Sequence, residues 1–195
     1  MGGDDSPYKN LKGAELFIKN NPNVRLKIFG DRNEILNSIQ SHDIKLNKYD
    51  ITHCSENVLD DDNASTILRS RKNSSIYKGL SFVKENLESG FVSAGNTAAL
   101  MILSRLILGM INGVSRPAIC SKIPSHKSFS LMMDLGANVY VSAENLLQFA
   151  LMGYAYFSII DPKRNPKIGL INIGTENNKG LEFLQEAHDL ISGSF

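Results

Sequence analysis

Phe91 to Gly113 reads FVSAGNTAALMILSRLILGMING, and this stretch decides the fold. Phe91-Val92 reads as a short apolar strand, and Ser93-Ala94-Gly95-Asn96-Thr97 as a turn of small and polar residues. A strongly apolar helix follows and is expected to end near Gly109 or Gly113. Strand, turn and helix in immediate succession gather backbone N–H groups at a helix N-terminus, where an anion is favoured. The same pattern serves many α/β proteins whose turn holds no ligand, so pattern alone leaves both readings open.

Working outward, helices and strands alternate on both sides of this stretch. Toward the N-terminus, MGGDDSP (1–7) is turn chemistry, a helix is expected from Asn10 or Lys12 to Asn20, and Asn21-Pro22-Asn23 stops it. Val24 to Phe29 alternates as a strand, Arg32 to Ser41 reads as a helix, Tyr49 to Cys54 as a strand and Ile76 to Leu87 as a helix. Between them lie an acidic run, Asp60-Asp61-Asp62-Asn63, and the densest basic cluster, Arg69, Arg71 and Lys72. The acidic run reads first as a solvated helix N-terminus, and only second as a cation site. Toward the C-terminus, Ala118 to Ser121, Phe129 to Met133 and Lys167 to Ile173 read as strands. Helices are expected from Ser142, a plausible cap, to Ile160 and from Leu181 to Ile191, with Asp161-Pro162 ending the first of these. The alternation predicts one α/β domain with a mostly parallel sheet and helices on both faces. Ligands of such sheets collect outside the carboxyl ends of strands. Three polar turns stand at such ends, Ser93 to Thr97, Asp134 to Asn138 and Gly174 to Gly180, and are expected to share a cleft.

Composition narrows the function. The chain has 195 residues, 42% hydrophobic and 21% charged, with a net charge of +1, which gives no general pull on nucleic acid. Cys54 and Cys120 lack CxxC spacing and read as reduced, packed thiols. The four histidines form no HExxH or HxxxH pair, so no metal site is expected. Residues 97–111 and 143–160 are apolar, but Arg105 interrupts the first and Glu144, Asn145 and Gln148 mark the second, so both read as buried or interface helices.

Five strings carry a resemblance: MGGDDSP (1–7), FVSAGNTAALM (91–101), LMMDLGANV (131–139), LLQFALMGYAY (146–156) and IGLINIGTENNKG (168–180). In this order they resemble the PlsX family, the bacterial phosphate acyltransferases of phospholipid synthesis. The resemblance implies an isocitrate/isopropylmalate-dehydrogenase-like fold without nicotinamide or any other cofactor. It implies transfer of a fatty acyl group from acyl carrier protein (ACP) to inorganic phosphate, giving acyl phosphate for a membrane acyltransferase. It also implies a cytoplasmic homodimer with peripheral membrane attachment and no nucleic-acid partner.

Orthophosphate near neutral pH is already a nucleophile, so such a site needs a phosphate cradle, an oxyanion donor and exclusion of water rather than a strong base. The candidate phosphate and substrate residues are Ser93, Gly95, Asn96, Thr97, Asn138, Gly174 and Lys179. Arg69, Arg71 and Lys72 are candidates for contact with phosphate or with acidic ACP, Asp4 is a candidate for orienting a loop, and no catalytic residue is assigned. Each of these residues equally admits a purely structural role.

Compared with the family pattern, a first strand before Met1 and a second half beyond Phe195 are missing, so the resemblance implies a fold truncated at both ends, poorly soluble and weak or inactive alone. Asp62-Asn63-Ala64, the segment 69–75, the loop 172–177 and Tyr140 also depart from that pattern. The competing readings are an acyl-CoA-dependent phosphate acyltransferase on the same fold and a non-catalytic remnant that dimerises or docks carrier protein.

Overall fold

Pro7 opens helix α1 (Tyr8–Asn20), two residues before the earliest expected start, because proline is well suited to a helix entrance. Strand β1 (Leu26–Gly30) follows. Asp31 then caps helix α2 (Arg32–Ser41), its carboxylate accepting from the Asn33 and Glu34 N–H groups at 2.9 and 3.0 Å. Strand β2 (Tyr49–His53) runs parallel to β1, from Leu26 opposite Tyr49 to Gly30 opposite His53. The Cys54 N–H donates to the Gly30 carbonyl at 2.8 Å and prolongs that pairing. These coordinates are a computed structural model that describes residues 2–58, 62, 64–126, 128–174 and 179–195.

Side chains of a strand alternate between faces, and the β1–β2 pair uses both. On one face Ile28 and Ile51 pack on a core of Leu11, Ile35 and Ile44 from α1, α2 and the loop after α2. On the other, the Phe29 ring meets Phe82 at 6.0 Å and Phe91 at 6.3 Å, the latter edge-on. Phe82 belongs to helix α4 (Ser75–Glu85), which follows the short helix α3 (Ala64–Ser70). Helix α5 (Thr97–Ile107) completes this layer. Its Ala99, Leu103 and Ile107, at helical spacing, join Ile67, Ile76 and Leu80 in a buried cluster. This is the expected α/β arrangement on a small scale: a parallel pair with helices on both faces.

The chain divides into two compact units, Met1–Gly109 and Met110–Phe195. In the second, strands β3 (Cys120–Pro124) and β4 (Phe129–Met133) form an antiparallel hairpin in which Cys120 faces Met133 and Pro124 faces Phe129. The parallel arrangement expected for these strands does not hold here. Only residues 125–128 join them, whereas a parallel crossover needs a dozen or more. Ser142 and Asn145 form a reciprocal capping box at the start of helix α6 (Ala143–Ile160), and Asp161 ends it. Helix α7 (Glu182–Ser192) packs on α6. The core of this unit includes Phe149, Phe157, Ala187 and Ile191, and Phe157 reaches the Phe129 ring of β4 at 5.4 Å.

Two expected strands form no ladder. Phe91-Val92 has no strand partner among the described residues, and Phe91 is fixed by its ring, which occupies the space above Gly79. Lys167 to Ile173 forms no strand among the described residues either. Helix α5 ends at Ile107, just before Gly109, whose φ of +85° favours glycine. Among the described residues, no helix is long and apolar enough to cross a membrane. Cys54 is fully buried, Cys120 is half-buried, and both are free thiols.

Candidate functional site

The turn before α5 is built by its own side chains. The Ser93 hydroxyl accepts from the Gly95 N–H at 3.1 Å and bends the chain. Asn96 then caps α5, its Oδ1 accepting from the Ala99 N–H at 2.8 Å while its carbonyl takes the Leu100 N–H at 3.0 Å. The Thr97 and Ala98 N–H groups have no acceptor among the described residues, as expected for the first positions of a helix. The Thr97 hydroxyl is exposed, the Asn96 Nδ2 makes no hydrogen bond among the described residues, and the Ser93 O–H retains its hydrogen for a further bond. From Phe91 to Ala99 there is no carboxylate. The turn thus offers hydrogen-bond donors at the positive end of a helix, the chemistry of an anion cradle.

A second segment closes on this turn. Gly2 and Gly3 run against Ala94 and Gly95 so tightly that a Cβ on Gly2 would stand 2.7 Å from the Gly95 Cα, and one on Gly3 would stand 3.1 Å from the Ala94 Cβ. Both glycines have positive φ, +115° and +82°. The Asn10 amide of α1 holds the loop in place, donating to the Gly2 carbonyl at 3.0 Å and to the Ser6 hydroxyl at 3.3 Å. Asp4 is exposed in this loop, and Asp5 pairs with Lys9 at 2.7 Å. The sequence marked residues 1–7 as turn chemistry but gave no sign of what the loop packs against. The paired glycines, at 2–3 and at 95, were the only available signal.

The basic cluster separates by role. Arg71 makes a two-pronged contact with Asp62, 2.9 Å from Nε and 2.8 Å from Nη2, and the Asp62 side chain is only 7% exposed. Arg69 and Lys72 are exposed. Asp62 is therefore a buried anchor for Arg71, whereas Asp60, Asp61 and Asn63 of the acidic run lie outside the described residues.

In the second unit, Asp134 organises the turn that carries Asn138. Its carboxylate accepts from the N–H groups of Ile119 (2.8 Å), Ala137 (3.2 Å) and Asn138 (2.8 Å), and from the Asn138 side-chain amide (2.9 Å). Burial works to raise its pKa, but these hydrogen bonds outweigh burial and hold it below the ordinary aspartate value. Asn138 Nδ2 also donates to the Pro117 carbonyl at 2.9 Å, so both of its amide hydrogens are engaged. In this geometry its remaining side-chain capacity is the Oδ1 acceptor.

Lys179 is exposed and Gly174 half-buried, at the two ends of the loop 174–180. Residues 175–178, with the departures noted at Thr175 to Asn177, lie outside the described residues. Asn172 staples the loop's base: its Nδ2 donates to the Lys179 carbonyl at 3.0 Å, its Oδ1 accepts from the Ile173 N–H at 2.8 Å, and its side chain fills the space a Cβ on Gly180 would need. The roles of Asp134 and Asn172 were not visible in the sequence, because each acts on backbone groups that only the folded turn brings together. Ser93, Gly95, Asn96 and Thr97 are thus gathered in the first unit, while Asn138, Gly174 and Lys179 belong to the second. Among the described residues, no three His, Cys, Asp or Glu side chains gather as a metal site would require.

Comparison with known proteins places these turns in context. The family model described as "Fatty acid synthesis protein" matches residues 1–194. The chain is similar to a phosphate acyltransferase of Caldicellulosiruptor bescii, 38% identical over 194 residues that make up 100% of this chain and 58% of that protein. It is 42% identical over 199 residues to a phosphate acyltransferase of Wolbachia pipientis subsp. Culex pipiens, covering 100% of this chain and 57% of the relative. A phosphate acyltransferase of Magnetococcus marinus is 40% identical over 187 residues, 96% of this chain and 53% of that protein. The chain therefore spans a little over half the length of these curated relatives.

Proposed function

The chain belongs to the fatty acid synthesis protein family, and on that premise we propose that it serves a phosphate acyltransferase reaction of phospholipid synthesis, moving a fatty acyl group from ACP to inorganic phosphate. One observation carries the proposal. The Ser93–Thr97 turn presents hydrogen-bond donors and no carboxylate at the start of α5, backed by the Gly2–Gly3 loop. In this reading the Thr97 and Ala98 N–H groups, the Thr97 and Ser93 hydroxyls and the Asn96 amide hold phosphate.

A phosphate oxygen attacks the thioester carbonyl carbon. A C–O bond forms, the C–S bond breaks, and the carrier thiolate leaves and takes up a proton. Held phosphate needs no strong base, and the donors lower the barrier by fixing its attack geometry. The candidates of the second unit keep proposed substrate roles of their own: Lys179 offers a cation to an anionic group, Gly174 allows close backbone approach, and Asn138 contributes its side chain after exchanging one of its present partners. Arg69 and Lys72 face the acidic carrier protein, with Arg71 as their structural anchor. A cytoplasmic homodimer, meeting a membrane acyltransferase at the bilayer surface, completes the proposal.

The test is release of carrier thiol from acyl-ACP by the purified chain, with and without phosphate. Phosphate-dependent release that Thr97→Ala weakens through a raised phosphate KM supports the reading; release indifferent to phosphate overturns it. Acyl-CoA, used in place of acyl-ACP, separates the two donor classes. A second reading is favoured by the length comparison, since the chain covers 58% and 57% of two relatives. In that reading it binds phosphate or carrier protein but turns over only with further polypeptide. Binding without turnover distinguishes it.

A further inference from the structure

Gly95, in the middle of the turn before α5, has two close neighbours from elsewhere in the first unit. A Cβ on it would stand 3.4 Å from the Ile76 Cδ1 and 3.8 Å from the Gly2 Cα. Ile76 is 3% exposed and belongs to the buried cluster that α5 joins, so it is held by close packing. Gly2 is held differently. No backbone hydrogen bond among the described residues reaches Gly2, Gly3 or Asp4; the backbone bonds of the loop begin at Asp5, whose carbonyl accepts from the Lys9 N–H at 3.2 Å. The bond that does reach this stretch comes from a side chain, the Asn10 amide, which donates to the Gly2 carbonyl at 3.0 Å. A longer bond, 3.3 Å, joins the same amide nitrogen to the Ser6 hydroxyl. Asn10 is itself firmly placed, because the next residue on α1, Leu11, is 2% exposed and packs with Ile35 and Ile44.

We infer that Asn10 is a positioning residue for the anion cradle of residues 93–97: its amide seats Gly2 against Gly95 and thereby sets the affinity of the cradle for phosphate, without touching phosphate itself. The inference rests on the reading of that turn as a phosphate site. Its physical basis is preorganisation. The Gly95 N–H donates to the Ser93 hydroxyl, and this bend leads straight into the Asn96 cap and the Thr97 and Ala98 N–H groups. With Gly2 unseated, the Gly95 backbone loses one of its two neighbours and the turn gains conformations. Phosphate must then remove that freedom as it binds, which costs affinity. The Asp5–Lys9 ion pair cannot take over the fastening, since its side chains are 69% and 58% exposed and it grips the loop beyond Asp4. The chain of contacts therefore runs from the Leu11 core through Asn10, Gly2 and Gly95 to the start of α5.

The test is a titration of the full 195-residue chain with inorganic phosphate, followed through the amide resonances of Thr97 and Ala98, with chloride holding the ionic strength constant. Asn10→Ala is expected to weaken phosphate binding about three- to tenfold, the contribution of one hydrogen bond. Its melting temperature is expected to stay at or above the wild-type value, because position 10 is exposed on α1 and alanine favours a helix. In the same variant the NMR order parameters of the Gly3 and Asp4 amides fall, as they must if the loop is released. Asn10→Gln, which keeps an amide donor, recovers part of the lost affinity. Ser6→Ala leaves the affinity unchanged, because the bond to the Gly2 carbonyl remains. Thr97 and Ala98 resonances that ignore phosphate in the wild type overturn the cradle reading and this inference with it. A wild type that responds to phosphate, beside an Asn10→Ala chain of equal affinity, overturns the inference alone. A fall in affinity that only tracks a fall in melting temperature also overturns it, since Asn10 would then be a stabilising residue and nothing more.

Discussion

Gly2 and Gly95 touch backbone to backbone: a methyl group on Gly2 would stand 2.7 Å from the Gly95 Cα and 3.1 Å from its nitrogen. The N-terminal loop therefore acts as a back wall for the turn that starts α5, and only glycine lets the two segments approach this closely.

Gly2→Ala forces both a clash and an L-residue at a φ of +115°. A loss of about 1–3 kcal/mol is expected, through detachment of the loop rather than collapse of the core. Limited proteolysis near residue 5 and urea denaturation measure the two effects separately. Gly13→Ala is the control. It lies within α1, a Cβ there meets nothing within 4 Å, and the change is expected to stabilise the chain by about 1 kcal/mol.

Asn96 caps α5 and is assigned to the cradle, and two substitutions separate those roles. Asn96→Ala removes the acceptor for the Ala99 N–H and is expected to cost about 1 kcal/mol. Asn96→Asp keeps the cap and suits the helix dipole, so stability holds, but its negative charge repels phosphate. Thermal melts beside phosphate titration decide the matter. Equal phosphate affinity in wild type and Asn96→Asp would remove Asn96 from the cradle.

Arg71 and its neighbours should diverge on mutation. Arg71→Ala withdraws the two-pronged partner of a carboxylate that is 7% exposed, with an expected loss of roughly 1–3 kcal/mol. Arg69→Glu and Lys72→Glu, at exposed positions, are expected to leave stability within about 0.5 kcal/mol and to weaken carrier-protein binding. Denaturation midpoints and an ACP pull-down read the two outcomes independently.

Asp134 links the second unit to pH. Its folded pKa is depressed, so its contribution to stability is present above its unfolded value, about 3.9, and is lost as pH falls through the lower folded value. Acid titration of the melting temperature is expected to show a downturn below about pH 4 that is smaller in Asp134→Asn. The Asn variant should be less stable than wild type at neutral pH, because an amide cannot serve all four donors equally well.

The sequence was most informative where local chemistry is self-sufficient. Ser142 announces α6, whose start at Ala143 follows directly from its cap, and the expected helix from Arg32 to Ser41 is α2 with those bounds, capped by Asp31. The apolar run Phe129 to Met133 was likewise enough to identify β4. Strand partners were less legible. The alternating pattern suggested parallel pairing for β3 and β4, although the short 125–128 connection already favoured a hairpin. Phe91-Val92 and Lys167–Ile173 read as strands from their apolar residues, yet a strand exists only through its neighbour, and no local pattern supplies one. At the candidate site the donors of 93–97 were legible, whereas Asp134 and Asn172 were not: their carboxylate and amide groups look like ordinary loop polarity until the backbone groups they bind are in place.

The two cysteines give the chain a pair of built-in clocks. Cys54, in the first unit, is fully buried, and burial pushes its thiol pKa up; Cys120, in the second, is half-buried and shifted the same way. Because alkylating reagents attack the thiolate, each sulfur is muted until its surroundings open. Mass spectrometry of iodoacetamide-treated protein, peptide by peptide, would therefore time the opening of the β1–β2 end and of the β3–β4 hairpin separately in one sample. Cys54 is expected to be labelled more slowly, and a change such as Gly2→Ala that loosens only the first unit should advance its clock alone.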